Sequence, residues 1–310
     1  MATSYKVLFT GGGGAGSEAI ARLWANKYEV YFADSDVKNI PPAIAKEHRY
    51  EIALAGEAWV RSVADLCNNK SIDILVPTVD EELPLISDLK KMLPKLVVLA
   101  PDENFISMMN DKLQFHDALA QAGIDTPNTI TMENAHGVKL PAFAKPRFGR
   151  GSRGIQEIRS ADELQAYRVL SRLPDRQLLL QEFLVGQEWT VYVAADSNGN
   201  LRSCIPILVE QKRGVTIKAI TIEHKAILKL VECIHKTFPT YGPYNVQLME
   251  TKDGRLSVFE INPRVSTTLC LAISAGADPI ADFVSEKSTL SLSHFVSGKR
   301  LQRNWFNHIS

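Results

Sequence analysis

This chain has no surplus charge of either sign: 35 Lys and Arg balance 35 Asp and Glu over 310 residues. Without a basic excess there is little pull toward a phosphate backbone, so a dedicated nucleic-acid binder is not expected. No uncharged apolar stretch reaches the length of a membrane-spanning helix, so no membrane partner is expected either. Before the first glycines the apolar run is only Val7-Leu8-Phe9, too short for a signal segment. Cysteine is scarce. Cys67, Cys204, Cys233 and Cys270 lie far apart and form no CxxC, and the seven histidines form neither HxH nor HExxH. A Cys/His zinc site is thereby excluded, and buried thiols in a reduced, cytoplasmic protein are expected. Repeats, low-complexity tracts and long linkers are also missing.

What remains is ordinary globular material, 45% apolar and 23% charged, long enough for about two domains. The first third alternates apolar strands with helical stretches. Strands are predicted at Lys6–Thr10, Glu29–Ala33, Asp73–Pro77 and Leu96–Leu99, and helices at Ser17–Trp24, Trp59–Leu66 and Glu82–Met92. Strands separated by helices form a parallel sheet. A boundary is set near Pro101. One helix is predicted over Asn110–Gly123, with Asn110 or Asp111 able to cap its start. Strands at Leu140–Lys145, Leu178–Glu182 and Glu188–Ala195, a helix at Asp162–Leu173, and turn signals at Ser197–Asn200 and Asp253-Gly254 then mark antiparallel hairpins mixed with helices.

Gly11, Gly13 and Gly16 satisfy GxGxxG directly after a strand, and Asp34 ends the next strand. Alone, this is the layout of a dinucleotide site, with glycines beside a pyrophosphate and an acid on a ribose. An NAD-dependent dehydrogenase is therefore one reading. The same turn also serves any small ligand at a sheet's carboxyl edge, or the turn itself. Thr78, Asp80 and Glu81 follow a parallel strand and reach that edge too. Asp80 or Glu81 can hold an amino group there, or the acids can complement a helix N-terminus.

The second half carries a different set. Lys145 ends a strand beside the loop Arg147–Gly154, whose backbone, Ser152 and three arginines can cover a polyphosphate. No GxxxxGK[ST] is present. Gln181–Glu188 is an apolar connector in which Phe183 and Leu184 can line an adenine slot, with Glu188 positioned for ribose hydroxyls. Alternation puts Gln247 on one face of its strand, and Glu260 and Asn262 on one face of theirs. Converging oxygen ligands suit Mg²⁺ or Mn²⁺ held jointly with phosphates, and Arg264 follows two residues on.

Asp111-Lys112, Lys145-Pro146 with its glycine loop, Gln181–Glu188, Asn245-Val246-Gln247 and Phe259–Arg264 together resemble the ATP-grasp superfamily. The resemblance is to its carbamoyl-phosphate-synthase-like branch, which includes small amino-acid ligases such as the pyrrolysine-pathway ligase. Lys6–Gly16 and Asp73–Glu82 also resemble the preceding domain of such proteins, so the likeness runs over about residues 5–285. It implies an α/β chain: an N-terminal Rossmann-like parallel α/β domain over 1–100, then an α+β ATP-grasp domain over 101–310 with a lid subdomain at about 126–190. Lys112 and Lys145 would contact ATP phosphates. Glu182, Phe183, Leu184 and Val185 would form the adenine-side connector, and Glu188 would bind ribose. Gln247, Glu260 and Asn262 would hold one or two divalent ions, Arg264 would stabilise the γ-phosphoryl group, and Arg213 would lie near the phosphoryl acceptor. Gly11, Gly12, Gly13, Thr78, Asp80 and Glu81 would border the substrate.

The implied reaction is ADP-forming ligation of a small-molecule carboxylate to an amine through an acyl phosphate. A homodimer is compatible with it. A non-catalytic nucleotide-binding protein is a third reading, which the joint presence of Lys112, Lys145, Glu260, Asn262 and Arg264 opposes. Two departures from the branch stand out. One such unit is read here where a full carbamoyl phosphate synthetase large subunit has two, and the stretch after about residue 285 is short. Gln247 stands at the first metal-side position, as in that branch, which leaves fewer charges on the metal side.

Overall fold

A computed structural model describes residues 5–149, 153–284 and 294–304. Five strands come first: β1 (Lys6–Phe9), β2 (Glu29–Asp34), β3 (Arg49–Glu51), β4 (Ile74–Val76) and β5 (Val97–Val98). They form a sheet in the order β3-β2-β1-β4-β5, and every neighbouring pair is parallel. The order reverses between β1 and β4. The loops leaving those two strands therefore diverge and open a crevice at the sheet's carboxyl edge. A parallel sheet buries both faces. Here α1 (Ser17–Trp24) covers one face through Ile20 and Trp24, while α2 (Glu57–Lys70) and α3 (Ile86–Met92) cover the other through Trp59, Val63 and Leu89.

One predicted helix divides in the structure. The stretch Glu82–Met92 divides into a 3₁₀ segment, Asp80–Leu85, and the α-helix from Ile86. Pro84 offers no N–H to an α-helical ladder, so the tighter turn precedes it. The predicted Asn110–Gly123 helix is α5 (Lys112–Gln121), and a helix that was not predicted, α4 (Glu103–Asn110), runs directly into it. Asp111 leaves helical geometry (φ −90°, ψ 99°) and its carboxylate accepts from the N–H groups of Leu113 at 3.2 Å and Gln114 at 3.3 Å. An N-cap of this kind starts a new helix one residue later.

The remaining strands form two antiparallel sheets. β6 (Thr129–Thr131), β7 (Ala142–Pro146), β8 (Gln156–Ile158) and β9 (Leu178–Glu182) lie in the order β6-β9-β7-β8, with α6 (Ala161–Ser171) against them through Leu164 and Tyr167. The larger sheet holds β10 (Gly186–Ala195), β11 (Leu201–Arg213), β12 (Val215–Thr221), β13 (Gly242–Thr251), β14 (Leu256–Asn262) and β15 (Arg300–Gln302), in the order β14-β13-β10-β11-β12-β15.

Alternation along β10 divides its burial. Trp189, Val191 and Val193 pack with α4, α5 and α7 (Lys225–Thr237). Tyr192 and Ala194 face the other way, into a cluster that also holds Phe9 and Phe32 of the first sheet, Leu271 of α8 (Leu269–Ser274) and Ile280 of α9 (Pro279–Phe283). That cluster runs unbroken from the first sheet to the third. It holds the crevice beside β1 firmly against the end of β14.

Candidate active site

A cavity of about 280 Å³ opens between the two antiparallel sheets. Lys145, near the end of β7, lies on its wall and is only 5% exposed. Its ammonium donates to Gln181 Oε1 at 3.1 Å. Burial pushes its pKa from 10.5 down to about 8; Glu260 opposes that fall and Lys112 adds to it. Lys112 opens α5 and donates to the Gly149 carbonyl at 2.5 Å. Arg147 engages Asp111 through two nitrogens, at 2.7 and 2.6 Å. Burial raises the Asp111 carboxyl, but the Arg147 bond and the capped N–H groups outweigh it and hold the pKa below the usual range. The start of α5 and the start of the glycine loop are thus tied together by two separate contacts. Ser152 lies outside the described residues.

The connector after β9 contributes Glu182 and Leu184 to the wall, while Phe183 and Val185 are not among the lining residues. Phe183 stacks on Phe143, ring centroids 4.8 Å apart, and Phe143 does line the cavity. Val185 is exposed. The Glu182 carboxylate accepts from Asn128 N at 3.2 Å and Arg255 at 3.1 Å, so its side chain braces the connector. Glu188 pairs with Lys212 at 2.5 Å, and both line the cavity. Arg213 is exposed at the β11–β12 turn and borders neither cavity described here.

Met249 of β13 and Phe259 and Glu260 of β14 form the floor, while Gln247 and Asn262 are not among the lining residues. Gln247 lies opposite Glu260, and Asn245 opposite Asn262. Gln247 Nε2 donates to Glu260 Oε2 at 2.7 Å, and Asn262 is 9% exposed. Between Gln247 and Leu248 the register shifts: Gln247 pairs Glu260 but Leu248 pairs Val258, leaving Phe259 as an extra residue. Such a bulge changes the parity of a strand. Phe259 and Glu260, adjacent in sequence, both line the cavity in consequence, whereas Val258 and Leu248 are wholly buried.

A second cavity, about 690 Å³, fills the crevice between β1 and β4. Gly11, Thr78 and Glu81 border it, with Glu82 and, from beyond β14, Arg264. Glu82 is 4% exposed and accepts from Thr10 Oγ1 and from Trp59 Nε1, the latter at 3.1 Å. Thr78 Oγ1 donates to the Thr10 carbonyl at 2.6 Å. Asp80 receives the Arg264 guanidinium through Nε and Nη2. The candidate amine holder Asp80, itself not among the lining residues, is thus paired with the candidate phosphoryl-stabilising arginine, which does line the crevice. Glu260 faces one cavity and Arg264, four residues on, faces the other.

The glycine turn reads differently in three dimensions. Gly11 takes φ +62°, and a Cβ there would come within 2.5 Å of Thr78 Oγ1. Gly12 and Gly13, expected at the substrate, are not among the lining residues. Gly12 packs under Phe32 and Ala33, and a Cβ on Gly13 would sit 2.7 Å from Asn39 Cβ. Both Asp34 oxygens are engaged by the chain itself. Oδ2 accepts from Gly13 N at 2.9 Å; Oδ1 accepts from Asp36 N and Asn39 Nδ2, each at 3.2 Å. A dinucleotide would have to displace these contacts. NAD and NADP titrated calorimetrically to millimolar concentration should give no binding heat. Micromolar binding abolished by Asp34→Ala would contradict this.

The profile of the ATP-grasp domain matches residues 109–268, just over half of the chain. The chain belongs to the ATP-grasp family. It is also 26% identical over 302 residues to the carbamoyl phosphate synthase large chain of Pseudomonas aeruginosa, covering 88% of this chain and 28% of that protein. It thus spans little more than a quarter of that relative's length. Solved structures share the fold. One is the L-amino acid ligase of Bacillus licheniformis (TM-score 0.66, 17% identity, 90% of this chain and 73% of that one). Another is the N5-carboxyaminoimidazole synthetase of Staphylococcus aureus complexed with ADP (TM-score 0.68, 16% identity, 95% and 81%).

Sequence pattern did not mark Gln181, Lys212 or Glu82 as wall or anchoring residues. Lys212 directly precedes Arg213. Two register shifts between Val209 and Lys212 erase the alternation that would have chosen between them. Glu82 had a signal, as an acid next to the apolar Leu83 after a parallel strand. Among the described residues no helix is long and apolar enough to cross a membrane.

Proposed function

We propose that this ATP-grasp protein is an ADP-forming carboxylate–amine ligase. The observation that carries the reading is the position of β14 between two cavities, with Glu260 on one side and Arg264 on the other. ATP is taken to occupy the smaller cavity, its adenine beside Leu184 and its ribose at Glu188. Its phosphates reach Lys112 and Lys145. The binding of ADP by a structural relative supports this choice of ligand. Gln247, Glu260 and Asn262 offer only oxygen donors and a single carboxylate. Among the described residues no three His, Cys, Asp or Glu side chains gather as a metal cage. That donor set fits Mg²⁺ or Mn²⁺ shared with the nucleotide. When bound, the ion neutralises phosphate charge and aligns the γ-phosphoryl group.

The acid occupies the larger crevice. A carboxylate oxygen attacks the γ-phosphorus, the bond to the β–γ bridging oxygen breaks, and ADP leaves. Arg264, drawn from Asp80, holds charge on the transferring group. The amine then attacks the acyl carbon and expels phosphate. Residues 1–100 supply the crevice, residues 101–310 the nucleotide side, and about 126–190 the lid over it. An ADP-release assay over pairs of amino acids tests the reading: ADP and phosphate should appear only with both a carboxylate and an amine partner. NAD reduction in place of ADP release would end it.

Lys145 gives a binding test. A lysine–phosphate contact contributes about 1.5–3 kcal/mol, so Lys145→Met should weaken ADP binding by roughly 10–150-fold. The direction with pH follows from its low-lying pKa of about 8. A phosphate contact favours the ammonium, so the bound form titrates higher. Above about pH 8, metal-free ADP should bind with proton uptake and lose affinity as pH rises. Calorimetry in buffers of different ionisation enthalpy reads that proton, and it should vanish in Lys145→Met.

A further inference from the structure

Lys145 is the most deeply buried cation on the nucleotide wall, and the polar chain behind it runs in one direction only. Its beginning is fixed by a backbone carbonyl. Thr126 Oγ1 donates to Val258 O at 2.8 Å, so that hydroxyl has no proton left for His116 and must accept from His116 Nδ1. With the proton on Nδ1, His116 Nε2 is an acceptor. It lies 2.7 Å from Gln181 Nε2. The same nitrogen also donates to Thr129 Oγ1 at 2.8 Å, whose own proton goes to Pro127 O at 2.9 Å. Both amide protons of Gln181 are thereby committed, and its orientation is set twice over. Its Oε1 is left facing the Lys145 ammonium at 3.1 Å.

His116 is 3% exposed and Gln181 5%, so water does not compete along the chain. Burial, reinforced by the charges of Lys145 and Lys112, pushes the His116 pKa well below its usual value, in keeping with a neutral ring. The network joins α5, which carries Lys112, to the sheet of β6, β9 and β7, and to β14, which carries Glu260.

The geometry points to His116 and Gln181 as positioning residues that hold the Lys145 ammonium toward the nucleotide phosphates through a fixed histidine tautomer and amide orientation. Neither side chain needs to touch nucleotide. The inference rests on the proposed role of Lys145, and the test separates the two. ADP affinity is measured by calorimetry for the parent, Lys145→Met, Gln181→Met, His116→Phe and His116→Gln. Outer-shell partners of metal-ligating residues are typically worth about 10–100-fold, and the lower end of that scale is expected for a lysine held toward phosphate. Gln181→Met and His116→Phe should therefore each weaken ADP binding by about tenfold or more. His116→Gln restores an acceptor at the Nε2 position and should recover most of the loss, which a packing role alone does not predict.

Competitive acylation read by mass spectrometry gives the Lys145 titration midpoint. It should fall further in Gln181→Met, because the ammonium loses its acceptor. In the unmodified protein, ¹⁵N spectra should show His116 protonated on Nδ1. An Nε2-protonated ring overturns the inference even if every variant fails to fold. So does a tenfold or greater loss in Lys145→Met alongside parental affinity in Gln181→Met and His116→Phe. Parental affinity in Lys145→Met removes the role of Lys145 itself, and the inference with it.

Discussion

Glu260→Gln should lower metal-dependent ADP release by at least about 100-fold while the thermal midpoint stays close to that of the parent. Losing an outer-shell partner of a metal typically costs about 10–100-fold, and a charged ligand costs more. Glu260 is the one carboxylate in the Gln247–Glu260–Asn262 set, and its charge also acts on Lys145. The substitution keeps shape and a hydrogen-bonding partner for Gln247, so the strand pair should hold. The measurement is coupled ADP release across a Mg²⁺ and Mn²⁺ titration, with a melting curve beside it. Activity in the variant above a few per cent of the parent would remove Glu260 from the metal site.

The second large effect concerns the intermediate. With a suitable carboxylate, ATP and Mg²⁺ but no amine, hydroxylamine should trap the activated acid as a hydroxamate, with ADP formed in equal amount. Trapping should fall below detection in Arg264→Ala. A preorganised charge at a transferring group is commonly worth about 10³–10⁵ in rate for phosphoryl transfer. The guanidinium already borders the larger cavity, held by Asp80. AMP and pyrophosphate as the stoichiometric products would replace the acyl phosphate with an adenylate. The roles given to Lys145, Glu260 and Arg264 would then be wrong together.

Local pattern carried the elements whose ends coincide with a change in period. Ser17–Trp24 and Leu178–Glu182 lie where alternation and helical spacing put them. Pattern failed where two geometries share one amphipathic stretch, as at Pro84, and at α4, which it did not mark, while the capping residue Asp111 was legible. The candidate nucleotide wall was legible in part because Lys145 and Glu260 sit on strands whose facing side follows from alternate positions. Gln181 and His116 were not read as anchors. Their meaning depends on partners 36 and 65 residues away from Gln181 in sequence, which no local spacing encodes. The glycine run misled for a similar reason: the crowding around Gly13 comes from Asn39, after the next strand.

The extra residue at Phe259 has a consequence for how this strand tolerates change in length. Removing it would take out the unpaired residue and leave Glu260 opposite Gln247, Ile261 opposite Val246 and Asn262 opposite Asn245. A deletion of Ile261 has no such slack: Asn262 would fall opposite Val246, on the buried face, and Arg264 would be drawn back by one place. The same loss of one residue is thus mild at Phe259 and harsh two positions later. Deletions at 260–262 should accordingly be rarer in functional variants than deletion of Phe259, and a deep mutational scan that includes single-codon deletions would show that bias directly.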